Sequence, residues 1–177
     1  MTEQAVLVVS GIPGVGKSTV AGIIARQLPR SAHVEAETLQ RFVIGGSVWP
    51  DGEPNAEAMR QLRLRGHNVA LLADSFFEAG FTPIIDDVVI GSRFAELRSD
   101  LRRRPFLFVL LVPCLEVVQK RNRERPGKDV FEAWRHLDAV TRSETLRVRL
   151  WLDTSDQTAE ESAADILKRA WREAVIP

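Results

Sequence analysis

Residues 11–18 read Gly-Ile-Pro-Gly-Val-Gly-Lys-Ser, a complete G-x-x-x-x-G-K-[ST] pattern. That spacing serves one chemistry, the cradling of a nucleotide triphosphate with its magnesium. Gly11, Gly14 and Gly16 let the backbone curl so that successive N–H groups point inward at phosphate oxygens. The segment that follows, Lys17, Ser18 and Thr19, opens a helix whose N-terminus adds a positive dipole end. Lys17 has the reach for the β- and γ-phosphates, and the Ser18 hydroxyl suits Mg²⁺. Val15 falls inside the loop and counts with it as nucleotide-binding.

Acidic residues stand where a phosphoryl transfer would need them. Asp86 and Asp87 close the apolar run Thr82-Pro83-Ile84-Ile85. Open α/β sheets place ligands at the carboxyl ends of strands, so a carboxylate there lies near the phosphate loop. It can hold a Mg²⁺-bound water or prepare a nucleophile. The strand still orders Asp86, so the direct role falls to Asp86 rather than Asp87; a solvated turn is the bland alternative. Glu35 and Glu37 close another short strand. A carboxylate at that place accepts the proton of an acceptor hydroxyl or orients it, although Glu37 would also suit a helix N-terminus as a dipole partner. Arg41, four residues on, shares a helix face with Glu37 and either binds the acceptor or pairs with Glu37.

Lys120, Arg121, Arg123, Arg125 and Lys128 form a basic cluster across Pro126-Gly127. Arginines of a mobile segment can close over a triphosphate and neutralise charge; a solvated basic face is the alternative. Arg60, Arg63 and Arg65 share a long helix, with Arg60 a candidate acceptor contact and solvated surface the competing role. Trp49, beside Pro50, lines an acceptor pocket or anchors its loop. His33, His67 and His136 lack metal-ligand spacing.

Strand-like and helix-like segments alternate from end to end, the pattern of an open parallel sheet covered on both faces. Residues 5–9 are a short β-branched run, a buried parallel strand. Strands are expected at about 32–36, 82–87, 106–112 and 150–153. Helices are expected at about 37–44, 55–79, 92–101, 115–123 and 130–141, and one more after the capping box Thr158-Ala159-Glu160-Glu161. Asn55 is a candidate cap and Gly80 a stop.

The 177 residues fit one domain. The 24 basic and 24 acidic residues balance to a formal charge of zero, which argues weakly against a broad nucleic-acid face. A single cysteine, Cys114, permits no internal disulfide and suits a reducing cytoplasm; its apolar neighbours read as a buried thiol. No apolar run is long enough for a membrane span, and no signal peptide is present.

The phosphate loop, Glu37-Thr38-Leu39, Ile84-Ile85-Asp86-Asp87-Val88 and Asp153-Thr154-Ser155 occur in the order found in small P-loop kinases of the nucleoside-monophosphate-kinase-like class. Within that class the chain most resembles chloramphenicol phosphotransferase and related bacterial ATP-binding proteins. The resemblance implies a single three-layer α/β/α domain, a five-stranded parallel sheet in order 2-3-1-4-5, an acceptor side near 37–79 and a short lid near 120–130. It implies ATP as donor with Mg²⁺. An aspartate after the second strand serves that family as base, and Glu37 is the matching position. Asp86 resembles the acidic position near Mg²⁺, Arg121 and Arg125 look like lid arginines, and Asp153 with Thr154 resembles the turn bordering adenine. The expectation is a cytoplasmic, ATP-dependent kinase, a monomer or homodimer, acting on a hydroxyl of a small molecule such as an antibiotic, nucleoside or sugar. Lys17, Glu37, Arg121 and Arg125 serve transfer, Glu35, Arg41, Trp49 and Arg60 the acceptor, and Ser18 and Asp86 the metal. A polynucleotide end kinase and a non-catalytic nucleotide-binding module remain open.

Overall fold

A computed structural model describes residues 3–50, 55–124, 131–144 and 150–177. Its first strand, β1 (Val6–Ser10), is wholly buried and runs into the phosphate loop and then α1 (Lys17–Gln27). The chain continues through β2 (Ser31–Glu35), α2 (Ala36–Gln40), α3 (Ala56–Glu78), β3 (Thr82–Asp86), α4 (Ser92–Asp100) and β4 (Phe106–Leu111). It closes with α5 (Leu115–Arg123), α6 (Phe131–Trp134), α7 (His136–Glu144), β5 (Leu150–Leu152), α8 (Ala159–Glu173) and β6 (Val175–Ile176).

Five strands pair in parallel in the order β2-β3-β1-β4-β5. In β1, Leu7 faces Ile84 on one side and Leu107 on the other. Alternate residues of the central strands serve opposite faces, as strand geometry requires. Leu7, Val9, Leu107 and Val109 pack against Val20, Ile24, Ile166 and Ala170 of α1 and α8. Val6, Val8, Ile85 and Phe108 pack against Val69, Ala73, Phe94 and Leu97 of α3 and α4. Both faces being covered explains why these strands read as continuous apolar runs.

Local signals set the helix ends. Asn55 Oδ1 accepts the N–H of Glu57 and of Ala58, each at 3.0 Å. Thr158 Oγ1 accepts Glu161 N–H at 3.1 Å while Glu161 accepts Thr158 N–H at 2.8 Å, closing the capping box. Gly80, at φ 83°, ends α3.

The structure differs from expectation in four places. A sixth strand, β6, adds antiparallel to Phe106 and Leu107, extending the edge that β5 leaves uncovered. The helix expected at 37–44 ends at Gln40. The stretch expected as one helix at 130–141 is two helices with a break at Arg135. Cys114 is exposed rather than buried: it precedes α5 at the sheet's rim, and Ser155 Oγ accepts its N–H at 2.8 Å.

Candidate active site

The phosphate loop joins the carboxyl end of β1 to α1. Gly14 sits at φ 91°, and a Cβ there would lie 2.0 Å from the side-chain nitrogen of Asn122. Only glycine fits both the backbone and the space. Gly16, also at positive φ, is the N-cap of α1 and offers no side-chain cap. The first turn of α1 carries no acidic residue. Its N–H groups and positive dipole end are therefore left for an anion. Gly14, Val15, Gly16, Lys17, Ser18 and Thr19 line a cavity of about 530 Å³ whose far wall is Arg121, Asn122, Thr154, Gln157 and Thr158. Gly11 lies at the loop's entrance, where a Cβ would meet the Leu111 carbonyl at 2.7 Å.

Lys17 Nζ donates to the Ile12 carbonyl at 3.1 Å, folding its side chain back along the loop. Burial lowers its pKa, against the pull of Asp86 and Asp87. An anionic phosphate at the loop would restore the preference for the ammonium form. Ser18 and Thr19 are exposed beside it.

Neighbouring carboxylates at the carboxyl end of β3, Asp86 in the strand and Asp87 just past it, have different surroundings. Asp87 is saturated: Oδ1 accepts from Arg65 at 2.6 Å and from Val88 N–H at 2.7 Å, and Oδ2 accepts from Arg93 at 3.1 Å. Burial alone would raise its pKa, but Arg93 and Arg65 hold it below the ordinary aspartate value. Asp86 is also buried, yet its Oδ2 has no hydrogen-bond partner, and His33 Nε2 stands 3.5 Å away. An orphaned, buried carboxylate oxygen at the carboxyl end of β3 is a donor suited to a hard cation or its water. Among the described residues no group of three or more His, Cys, Asp or Glu forms a metal centre. Mg²⁺ would therefore depend on Ser18, Asp86 and the nucleotide's own oxygens.

On the other side, Glu37 lies in the first turn of α2 and pairs with Arg41 at 2.8 Å. Its charge reaches both Lys17 and Arg65. Glu35, at the end of β2, accepts the Thr38 hydroxyl. Trp49 is partly exposed on the loop before α3. Arg60 projects into solvent, 80% exposed, and pairs with Glu57 at 3.0 Å, so it is not brought to the others.

Arg121 lines the cavity from α5. It donates to the carbonyls of Val15 at 3.1 Å, Thr154 at 2.9 Å and Gln157 at 3.2 Å. It thereby ties the phosphate loop to the turn between β5 and α8. Thr154 is buried in that turn, while Asp153 is exposed and accepts Ser155 N–H at 2.9 Å. Arg125 and most of the expected lid lie outside the described residues.

Four contributors carried no motif. Ser10, at the end of β1, donates to the Val89 carbonyl at 3.0 Å and accepts Val89 N–H at 2.9 Å, fixing the segment after Asp87. Arg65 and Arg93 lock Asp87. Gln61 accepts Val48 N–H at 2.9 Å and donates to the Gly46 carbonyl at 2.7 Å, holding the Trp49 loop on α3.

The family model described as chloramphenicol phosphotransferase-like protein matches residues 4–171. No curated protein matches the chain. Solved structures do. The tunicamycin resistance protein of Deinococcus radiodurans is 21% identical, with 99% of each chain covered and a TM-score of 0.65. A sugar kinase from Janibacter sp. HTCC2649 is 20% identical over 94% of each chain, with a TM-score of 0.68. The APS kinase of Mycobacterium tuberculosis, solved with AMPPNP and APS, is 21% identical over 94% of this chain and 98% of its own, with a TM-score of 0.61. At these identities the likeness is one of fold, that of P-loop kinases.

Proposed function

The chain belongs to the chloramphenicol phosphotransferase-like family, and from that premise we propose that it transfers the γ-phosphoryl group of ATP to a hydroxyl of a small molecule. Family and fold together support an ATP-dependent phosphotransferase. The observation that carries the finer reading is the arrangement of charge: an uncapped helix N-terminus with Lys17 and Ser18 on one side, and Glu37, whose charge reaches Lys17, on the other.

ATP would lay its phosphates along residues 14–19 with its base toward Thr154 and Gln157. Lys17 would leave the Ile12 carbonyl for the β- and γ-oxygens. Glu37 would take the acceptor's hydroxyl proton as the new O–P bond forms and the bond to the leaving ADP oxygen breaks. When bound, Mg²⁺ supplies charge neutralisation at the β- and γ-phosphates, with Ser18 and Asp86 the residues that would hold it. Arg41, paired with Glu37, would orient that carboxylate. Phe42, Ile44 and Trp49, all exposed near α2, favour an acceptor with an apolar body as well as a hydroxyl.

The polynucleotide reading is weakened by where the Arg102-Arg103-Arg104 run lies. It precedes β4, at the amino ends of the strands, whereas the phosphate loop lies at their carboxyl ends. Two of its N–H groups bind Asp74, Arg103 pairs with Glu78, and Arg104 stacks over Phe106.

Purified protein should be incubated with γ-labelled ATP, Mg²⁺ and a panel of hydroxylated compounds that includes chloramphenicol, nucleosides and sugars. Label should appear on at least one acceptor and not with Lys17→Ala. Label appearing only on polynucleotide ends would overturn the small-molecule reading.

A further inference from the structure

The main chain of Gln157 is pinned on both sides. Its N–H donates to the Thr154 carbonyl at 3.3 Å, and its carbonyl accepts from Arg121 at 3.2 Å. The next residue, Thr158, is the N-cap of α8 and is closed by its capping box. A side chain on so fixed a backbone loses little freedom when it meets a ligand. Gln157 lines the nucleotide cavity, and so does Ser162 in the first turns of α8.

Ser162 decides which end of the Gln157 amide faces that cavity. It is 1% exposed, and its Oγ lies 2.9 Å from the Thr158 carbonyl and 3.0 Å from Gln157 Oε1. A hydroxyl owns one hydrogen and two lone pairs. With Oε1 against it, Ser162 faces two acceptors that share its single hydrogen, and its buried lone pairs receive nothing. Turning the amide end for end exchanges oxygen and nitrogen at the same two positions. Nε2 then donates to Ser162 Oγ, and Ser162 donates to the Thr158 carbonyl, the bond that a helical serine makes to the residue four before it. Two hydrogen bonds replace one, and the buried hydroxyl is satisfied as donor and as acceptor. Among the described residues the Gln157 amide has no other partner, so Oε1 is left for the cavity.

We propose that Gln157, held by Ser162, selects the base of the bound nucleoside triphosphate by accepting a hydrogen from an exocyclic amino group, and so takes adenine and turns guanine away. Adenine carries an amino group where guanine carries a carbonyl oxygen. Against Gln157 Oε1 the amino group donates, whereas the guanine oxygen meets a second acceptor and both go unpaired. Gln157 is thus the specificity-determining residue and Ser162 a positioning residue. The inference rests on the nucleotide reading of the cavity and adds to it a side chain that chooses the base.

Calorimetric titration of the full chain with ATP, GTP and purine riboside triphosphate, which lacks the amino group, tests it in the presence of Mg²⁺ and without an acceptor. The wild type should bind ATP about fivefold more tightly than purine riboside triphosphate and about tenfold or more above GTP. Gln157→Ala should bind all three alike. Gln157→Glu, whose side chain ends in acceptor oxygens alone, should keep ATP ahead of GTP, and it decides the matter should Gln157→Ala fail to fold. Ser162→Ala should narrow the preference. A wild type that favours GTP, or a Gln157→Glu chain that reverses the wild-type order, puts Nε2 in the cavity and overturns the proposal. A Gln157→Ala chain that keeps the full preference overturns it equally, and an unaltered preference in Ser162→Ala overturns the positioning role. Equal binding of all three by the wild type removes base selection and leaves the phosphate site standing; binding of none removes the nucleotide reading and the selection with it.

Discussion

Lys17 is held in reserve by a single weak tether, the Ile12 carbonyl, while burial works against its charge. Phosphate would offer it a far stronger partner. Lys17→Ala should therefore lower turnover about a hundredfold or more while the thermal melt stays near that of the wild type. Glu37 is expected to act only as the acceptor hydroxyl attacks the γ-phosphorus. Glu37→Gln should depress kcat well below the wild type and leave the affinity for ATP nearly unchanged; equal turnover with the true acceptor would return Glu37 to a helix-end role. Asp87 has the opposite character, a structural anion between Arg65 and Arg93. Asp87→Asn should cost about 3 kcal/mol in urea unfolding, since it leaves two guanidinium groups short of a partner. Its pH dependence has a definite sign. The folded-state pKa of Asp87 is depressed, so its contribution is complete above the ordinary aspartate range and lost as pH falls through the folded value. The stability gap between wild type and Asp87→Asn should thus be wide at about pH 5 and narrower at about pH 3.

Elements rather than single side chains shape the nucleotide cavity. α5 supplies Asn122 against Gly14 and Arg121 to the β5–α8 turn, so one helix positions both the loop and the far wall. Gly14→Ala should abolish ATP binding, because neither the positive φ nor the 2.0 Å contact admits a methyl group. Arg121→Ala should raise the KM for ATP more than it lowers kcat, since three backbone carbonyls lose their shared donor. What the sequence showed at this level was local. Asn55 and the Thr158–Glu161 box announce their helices because each cap is a bond between near neighbours. The central strands β1, β3 and β4 announce themselves because burial on both faces leaves little room for polar residues. What it hid was tertiary. Nothing near Arg65 says that Asp87 waits for it across 22 residues, and the two residues of β6 are too few to carry a pattern. Cys114 reads as apolar by its neighbours, but the chain is leaving the sheet there, and the thiol ends up in solvent.

Across the chain as a whole, the two faces of the sheet divide the labour. α1 and α8 pack on one face, next to the nucleotide cavity. α3 and α4 pack on the other, where Arg65 and Arg93 hold Asp87 and Gln61 holds the loop before α3. No helix among the described residues is long and apolar enough to cross a membrane. Formal charge is zero, so attraction of an anionic nucleotide rests on the loop and its helix end rather than on the molecule's overall field. That places the whole account on one binding event. Isothermal calorimetry with a non-hydrolysable ATP analogue and Mg²⁺ tests it most directly. The account predicts saturable binding at one site per chain, lost in Lys17→Ala. Absence of binding to any purine triphosphate by folded wild-type protein would contradict it.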